Sequence, residues 1–247
     1  MSKAENYLNY ISKFEKKLTT DDTFTPPAVY EVVQRWVCNR YGIDESKIAR
    51  PFYPNGNYRS EDYDDKIVVD NPPFSILGQI INYYNSIGVK YFLFAPGLSS
   101  FHYLSKNVSV VCTYTTLAYD NRAKICTSFL TNLEPEPAVF TSKELKDDLE
   151  ATQQKKKYCI QNIYPRGCYT ASHLSIAADK GVDIYIKYTK DDVIKAMMDE
   201  EGNKVEMYGA ALLVRDNDLI DRIDAAIISP YRYYKGEKIK VKRRLTI

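Results

Sequence analysis

Four consecutive residues, Asn71-Pro72-Pro73-Phe74, combine the groups that hold a planar, amino-bearing base. A side-chain amide oxygen and a proline carbonyl are both hydrogen-bond acceptors, and a phenyl ring offers a face for stacking. An exocyclic amine gripped by Asn71 and Pro72 has both hydrogens fixed and its nitrogen aimed in one direction, as transfer of a group to that nitrogen requires. Pro73 would stiffen the loop and Phe74 would stack on the base. The same tetrapeptide also serves as a strand-terminating turn, so its meaning depends on what flanks it.

Upstream, Ile67, Val68 and Val69 form the continuous β-branched run of a strand buried on both faces of a parallel sheet, which two prolines cannot continue. The loop is thus expected at a strand's carboxyl end, the edge where open α/β sheets bind ligands. The spacing predicts a helix over 76–86 stopped by Gly88, then an apolar strand over 89–95 ending in Pro96-Gly97. Strand, loop, helix and strand in this order make a βαβ crossover and define an α/β fold. Before it, Phe24-Thr25-Pro26-Pro27 opens a helix over 28–40 with Val29, Val33, Trp36 and Val37 on its apolar face and Gly42 at its end. Tyr7, Leu8, Ile11, Phe14 and Leu18 predict an amphipathic helix over 4–18. Residues 50–65 form a turn-rich loop around Pro54, Asn55 and Gly56. Beyond the crossover, 108–114 and 123–130 are expected as paired strands with a turn at Asp120-Asn121. Helices are expected over 142–158, 170–180 and 190–200, and strands over 182–188 and 208–214. Glu134-Pro135-Glu136-Pro137 divides the chain into 1–135 and 136–247, the second part being either a target-recognition region or the completion of the first.

At 247 residues the chain can bury one good core. With 34 basic and 32 acidic residues it has no general basic coat, so contact with a polyanion must be local. Such a place exists at the carboxyl end, where residues 231–244 hold seven basic residues against one acidic. There Tyr233, Lys235, Lys238, Lys240, Lys242, Arg243 and Arg244 suit a phosphate backbone, although alternating lysines equally suit a protected edge strand. Tyrosine is abundant at 22 residues, as stacking surface or as ordinary filling of strands. The five cysteines are scattered without a CxxC pair, which speaks for free thiols in a reducing compartment. His102 and His173 have no metal-ligand partners at suitable spacing, and the run Glu61-Asp62-Tyr63-Asp64-Asp65 lacks calcium-loop spacing, so no metal is expected. Ser99-Ser100 is placed to line the same edge as Asn71 but lacks a nucleophile-elbow motif. The charged amino terminus, without an apolar core or cleavage site, leads us to expect a cytoplasmic protein with no membrane contact.

Asp70-Asn71-Pro72-Pro73-Phe74, following KIVV, resembles the catalytic motif of amino-group methyltransferases, written (D/N/S)PP(Y/F) in the adenine-N6 DNA enzymes. Phe24-Thr25-Pro26-Pro27-Ala28-Val29 resembles the motif that in several of them lies against the methionine part of the cofactor. The frame of both motifs with YFLFAP and TSFLTNL, over 22–135, is similar to EcoRI-type adenine-specific methyltransferases and their phage-encoded relatives. The resemblance implies a reduced Rossmann-like methyltransferase sheet with helices on its faces, followed by a smaller mixed α/β carboxyl-terminal region. It also implies S-adenosylmethionine as cofactor, double-stranded DNA with the target base flipped as substrate, and host cytoplasm as the location of a phage product. Asn71, Pro72, Pro73 and Phe74 would be catalytic. Thr25, Pro26, Tyr53, Asn55, Gly56 and Asp62 would form the cofactor side, with Gly56 permitting close approach and Asp62 accepting from the adenosine. The chain departs from the family in lacking a glycine-rich first turn, and only 45 residues separate Thr25 from Asp70. Segment 50–62 is then either a compact cofactor site or a surface turn. A catalytically inactive relative that binds nucleic acid or a nucleotide, and an interaction scaffold, are the other functions compatible with these residues. A homo-oligomer is compatible with each of these functions.

Overall fold

The computed structural model describes residues 24–53, 56–120, 123–153, 166–195, 197–198, 204–205, 209–227, 232–234 and 237–239. The helix expected over 4–18, and the candidate residues Asn55, Lys235, Lys240, Lys242, Arg243 and Arg244, lie outside them.

Helix α1 (Pro27–Tyr41) starts with proline in its first turn, where a missing N–H costs nothing, and ends at Gly42 with φ 64°. A two-residue strand β1 (Ile48–Ala49) follows, and then β2 (Ile67–Asp70). A single 3-10 turn (Phe74–Ile76) leads from the proline loop into α2 (Leu77–Ile87), closed by Gly88 at φ 73°. Strand β3 (Lys90–Pro96) then pairs in parallel with β2, Asp70 opposite Leu93, completing the expected crossover. Strands β4 (Ser109–Ala118) and β5 (Lys124–Thr131) form the expected antiparallel pair.

Residues after 135 extend this same sheet. Strand β6 (Ala138–Phe140) lies parallel to β4, and β8 (Tyr185–Lys187) lies antiparallel to β6. The seven strands run in the order β1-β2-β3-β5-β4-β6-β8, with β5 reversed between β3 and β4. Between β6 and β8 come α3 (Lys143–Ala151), the short β7 (Cys168–Tyr169) and α4 (Ala171–Asp179). Strands β9 (Val193–Ile194) and β12 (Ala211–Leu213) join β7 in a three-stranded sheet; β10 (Met197–Met198) pairs with β11 (Lys204–Val205). Helix α5 (Asn217–Ile227) and the pair β13 (Arg232–Tyr234) and β14 (Glu237–Ile239) follow.

Side chains of β2 and β3 alternate between two cores, as a strand buried on both faces demands. Val68, Tyr91, Leu93 and Ala95 join α2, α4 and α5 on one face, while Val69, Phe92 and Phe94 join α1 and α3 on the other. The molecule is therefore an α/β protein with a mixed sheet between two helical layers, consistent with a Rossmann-like architecture. Among the described residues no helix is long and apolar enough to cross a membrane.

Two expectations need correction. The described part of 190–200 is not helical: Lys190–Asp192 make one 3-10 turn, after which Val193 and Ile194 are drawn into pairing with β12, and 196, 199 and 200 lie outside the described residues. The helix expected over 142–158 has its ladder ending at Ala151 with Thr152 as the capping residue, and 154–158 lie outside the described residues.

Candidate functional site at the carboxyl edge of β2 and β3

The loop leaves β2 at Asp70, whose carboxylate is only 3% exposed. One oxygen accepts the Asn71 N–H and the other the Phe52 N–H, each at 2.9 Å. Arg50 stands 3.6 Å from the same carboxylate, and its guanidinium lies 3.5 Å from the centre of the Tyr30 ring. Tyr30, one turn into α1, donates its hydroxyl to the Val69 carbonyl at 3.0 Å. Burial pushes the Asp70 carboxyl from an ordinary 3.8 up to about 6, against the opposing pull of the two amides and Arg50. Three separate stretches, α1, segment 50–53 and the proline loop, thus meet at the end of one strand.

Within the loop Pro72 is buried, and Pro73 accepts the Ile76 N–H at 3.3 Å, which starts the 3-10 turn. The Asn71 side-chain oxygen is shielded from solvent. Phe74 is half-buried and packs against both cores, so its inner face is part of the protein. Thr25 brings a buried hydroxyl oxygen that has no hydrogen-bond partner among the described residues. Phe24 and Pro26 flank it: the Phe24 carbonyl accepts the Asp120 N–H at 3.2 Å, which ties the entry of α1 to the tip of the β4–β5 hairpin.

The cofactor-side candidates do not all come together. Tyr53 follows Phe52 and is exposed, and its hydroxyl donates to Glu61 at 2.9 Å. Gly56 serves its own loop: a Cβ there would sit 2.9 Å from the Pro51 carbonyl and 3.0 Å from the Tyr53 ring. Asp62 lies at the opposite end of β2. There it lines an open cavity of about 490 Å³ with Glu61, Asp64, Lys66, Gly88 and Lys90, residues that precede β2 or sit at the start of β3. It cannot share a pocket with Asn71, because the chain doubles back between them. Tyr58, Tyr63, Tyr83 and Tyr84 hold that return over α2, with Tyr63 donating to the Tyr58 carbonyl at 2.6 Å and ring centroids 5.4 to 6.0 Å apart. Tyr233 and Lys238 face each other in the pairing of β13 and β14.

Other features came from no local sequence signal. Strand β4 is bulged between Val111 and Thr115, with Tyr114 at φ 49°, a conformation costly for a non-glycine residue. The bulge presses the Tyr114 ring over Gly97, where a Cβ would approach to 2.9 Å, just past the end of β3. The Thr113 carbonyl in the bulge accepts from Ser175 at 2.7 Å. Ser175 in turn accepts from Lys146 at 2.8 Å, a lysine 1% exposed that also donates to Asp179 at 2.7 Å. Ser100 is buried, donating to the Gly97 carbonyl at 2.9 Å, and therefore closes the turn after β3. His173 caps α4, its Nδ1 3.1 Å from the Thr170 N–H, and His102 is exposed. The described cysteines are free, and burial pushes the Cys126 thiol up to about 12 and Cys168 up to about 11, far from reactive thiolates. No group of three or more His, Cys, Asp or Glu among the described residues is placed to hold a metal ion.

Fold and site together define an α/β protein whose candidate site is a rigid acceptor loop beside a buried carboxylate. No family model matches the chain, and no curated protein or solved structure matches it either.

Proposed function

We propose that this chain is a methyltransferase that uses S-adenosylmethionine to modify the N6 amino group of adenine in DNA, and that it is phage-encoded. The observation that carries the reading is the Asn71-Pro72-Pro73-Phe74 loop at the carboxyl end of a buried parallel strand, with α1 and segment 50–53 gathered at the same edge. The family resemblance of both motifs adds to it.

The residues fit the cofactor in part. Thr25 Oγ1 is a buried polar atom just before α1 without a partner among the described residues, and Tyr53, which follows Phe52, has an exposed side chain, whereas Asp62 lines the cavity at the other end of β2. Thr25, Pro26 and Tyr53 would hold it, and when bound it supplies an electrophilic methyl on a sulfonium. The Asn71 oxygen and the Pro72 carbonyl accept the two N–H bonds of the amine, which fixes the nitrogen and strengthens its lone pair. Phe74 presents its outer face to the base, offsetting the few kcal/mol of unstacking that flipping costs. The proton that N6 would shed on accepting the methyl would pass to solvent, with Asn71 and Pro72 keeping the nitrogen in place. Calorimetry with S-adenosylmethionine and S-adenosylhomocysteine, with and without duplex DNA, tests the reading; absence of binding in both conditions refutes it.

One observation favours a second reading. Among the described residues, only a two-residue strand lies beyond β2 on the side where a cofactor-binding half-sheet would extend. A non-catalytic relative would bind DNA or a nucleotide but not S-adenosylhomocysteine, and the same titrations separate the two.

A further inference from the structure

We propose that Asp70 is a positioning residue that aligns the two halves of this site, its two oxygens holding the Asn71 amide and the Phe52 amide in one fork. The consequence for methyl transfer rests on the function proposed above; the alignment itself does not. Each oxygen has its own backbone donor at 2.9 Å, one from the loop that would grip the amine and one from the segment on the cofactor side. Beyond the pairing of β1 with β2, the position of Asn71 relative to 50–53 therefore runs through this one carboxylate. Around it stand Arg50 from the segment, Tyr30 from α1, Tyr84 from α2 and Tyr63 from the return loop, and Arg50 is the one cation among them.

The fork works only while the group is ionised. A protonated carboxyl turns one of its oxygens into a donor, which faces an N–H and loses that bond. An asparagine has the same defect permanently, so Asp70→Asn reproduces the acid form at every pH.

The test uses the full chain and two variants, Asp70→Asn and Arg50→Gln, the second keeping the fork and losing only the half-exposed guanidinium. Methyl transfer to adenine-containing duplex DNA is measured across pH, and amide hydrogen exchange is followed at Phe52 and Asn71. In the unsubstituted protein kcat should fall as pH drops through about 6. Asp70→Asn should lower kcat about 100-fold at neutral pH and remove that acid limb, with KM for DNA changed by no more than about threefold. It should also speed exchange at one of the two amides roughly tenfold. Arg50→Gln should move the limb to higher pH, and Arg50→Lys should restore it. If Asp70→Asn keeps the original exchange at both amides, or the original pH profile, the proposal is overturned. Should no form of the protein methylate DNA while the exchange responds as stated, the alignment stands and the methyltransferase reading falls.

Discussion

Strand β2 has carboxylates at both ends, and the two ends differ in kind. At the amino end Glu61, Asp62 and Asp64 line an open cavity, and Asp65 pairs on the surface with Lys47 at 2.9 Å. At the carboxyl end a single Asp70 is enclosed, bonded to two amides and faced by one arginine. Four charges in water hold little that a ligand must match, whereas one charge in a low-dielectric setting fixes the geometry around it and titrates away from its ordinary range. Density of acidic residues is thus a poor guide to this site, and burial is a good one.

Substitutions at the two ends sharpen the contrast. Asn71→Ala should reduce methyl transfer by roughly 10³-fold with the near-ultraviolet circular dichroism unchanged; full activity would remove the loop from the chemistry. Next comes pH. Because the folded-state value of Asp70 is raised from 3.8 to about 6, the native state holds that proton more tightly than the unfolded chain does. Its contribution to stability is present in full below about pH 4 and is lost as pH rises through about 6, by roughly 3 kcal/mol at most. Urea unfolding of the protein and of Asp70→Asn on both sides of that window should show this difference; parallel curves would contradict it. Tyr30→Phe, which removes the donor to Val69, should cost about 1 kcal/mol in the same assay. Smallest of all, Asp62→Asn with Asp64→Asn should change stability by less than about 0.5 kcal/mol and leave S-adenosylhomocysteine affinity as it was. A loss of affinity there would bring the amino end back into the site.

The crossover was legible because its signals are local: a β-branched run, a pair of prolines and the helix-ending Gly88. Arg50 and Phe52 were not legible as partners of Asp70, since Phe52 lies 18 positions before it, across a turn-rich segment. The signal that might have drawn attention was Asp70 itself, an acid closing an otherwise apolar strand. Asp62 went astray for the converse reason: segment 50–65 runs from one edge of the sheet to the other, and position in sequence does not say where it turns. Most of α5 was readable in hindsight from Leu219, Ile220, Ile223 and Ile227, whose buried members Ile220 and Ile223 pack against the core. The reversal of β5 and the bulge at Tyr114 depend on pairing across the sheet, which periodicity within a strand does not encode. Tyrosine abundance was compatible with stacking surface or with ordinary filling, and Tyr58, Tyr63, Tyr83, Tyr84 and Tyr91 do the second, joining the return loop to α2 and β3.

The outer strands of the seven-stranded sheet bear on how the protein behaves at high concentration. Strand β1 offers two residues to a newcomer and β8 offers three, with Tyr185 and Lys187 exposed and Lys187 paired to Glu136 at 2.7 Å. Such short, charged borders give little template for edge-to-edge growth, so the long, apolar β3 and β5 at the centre stay out of reach of neighbouring chains.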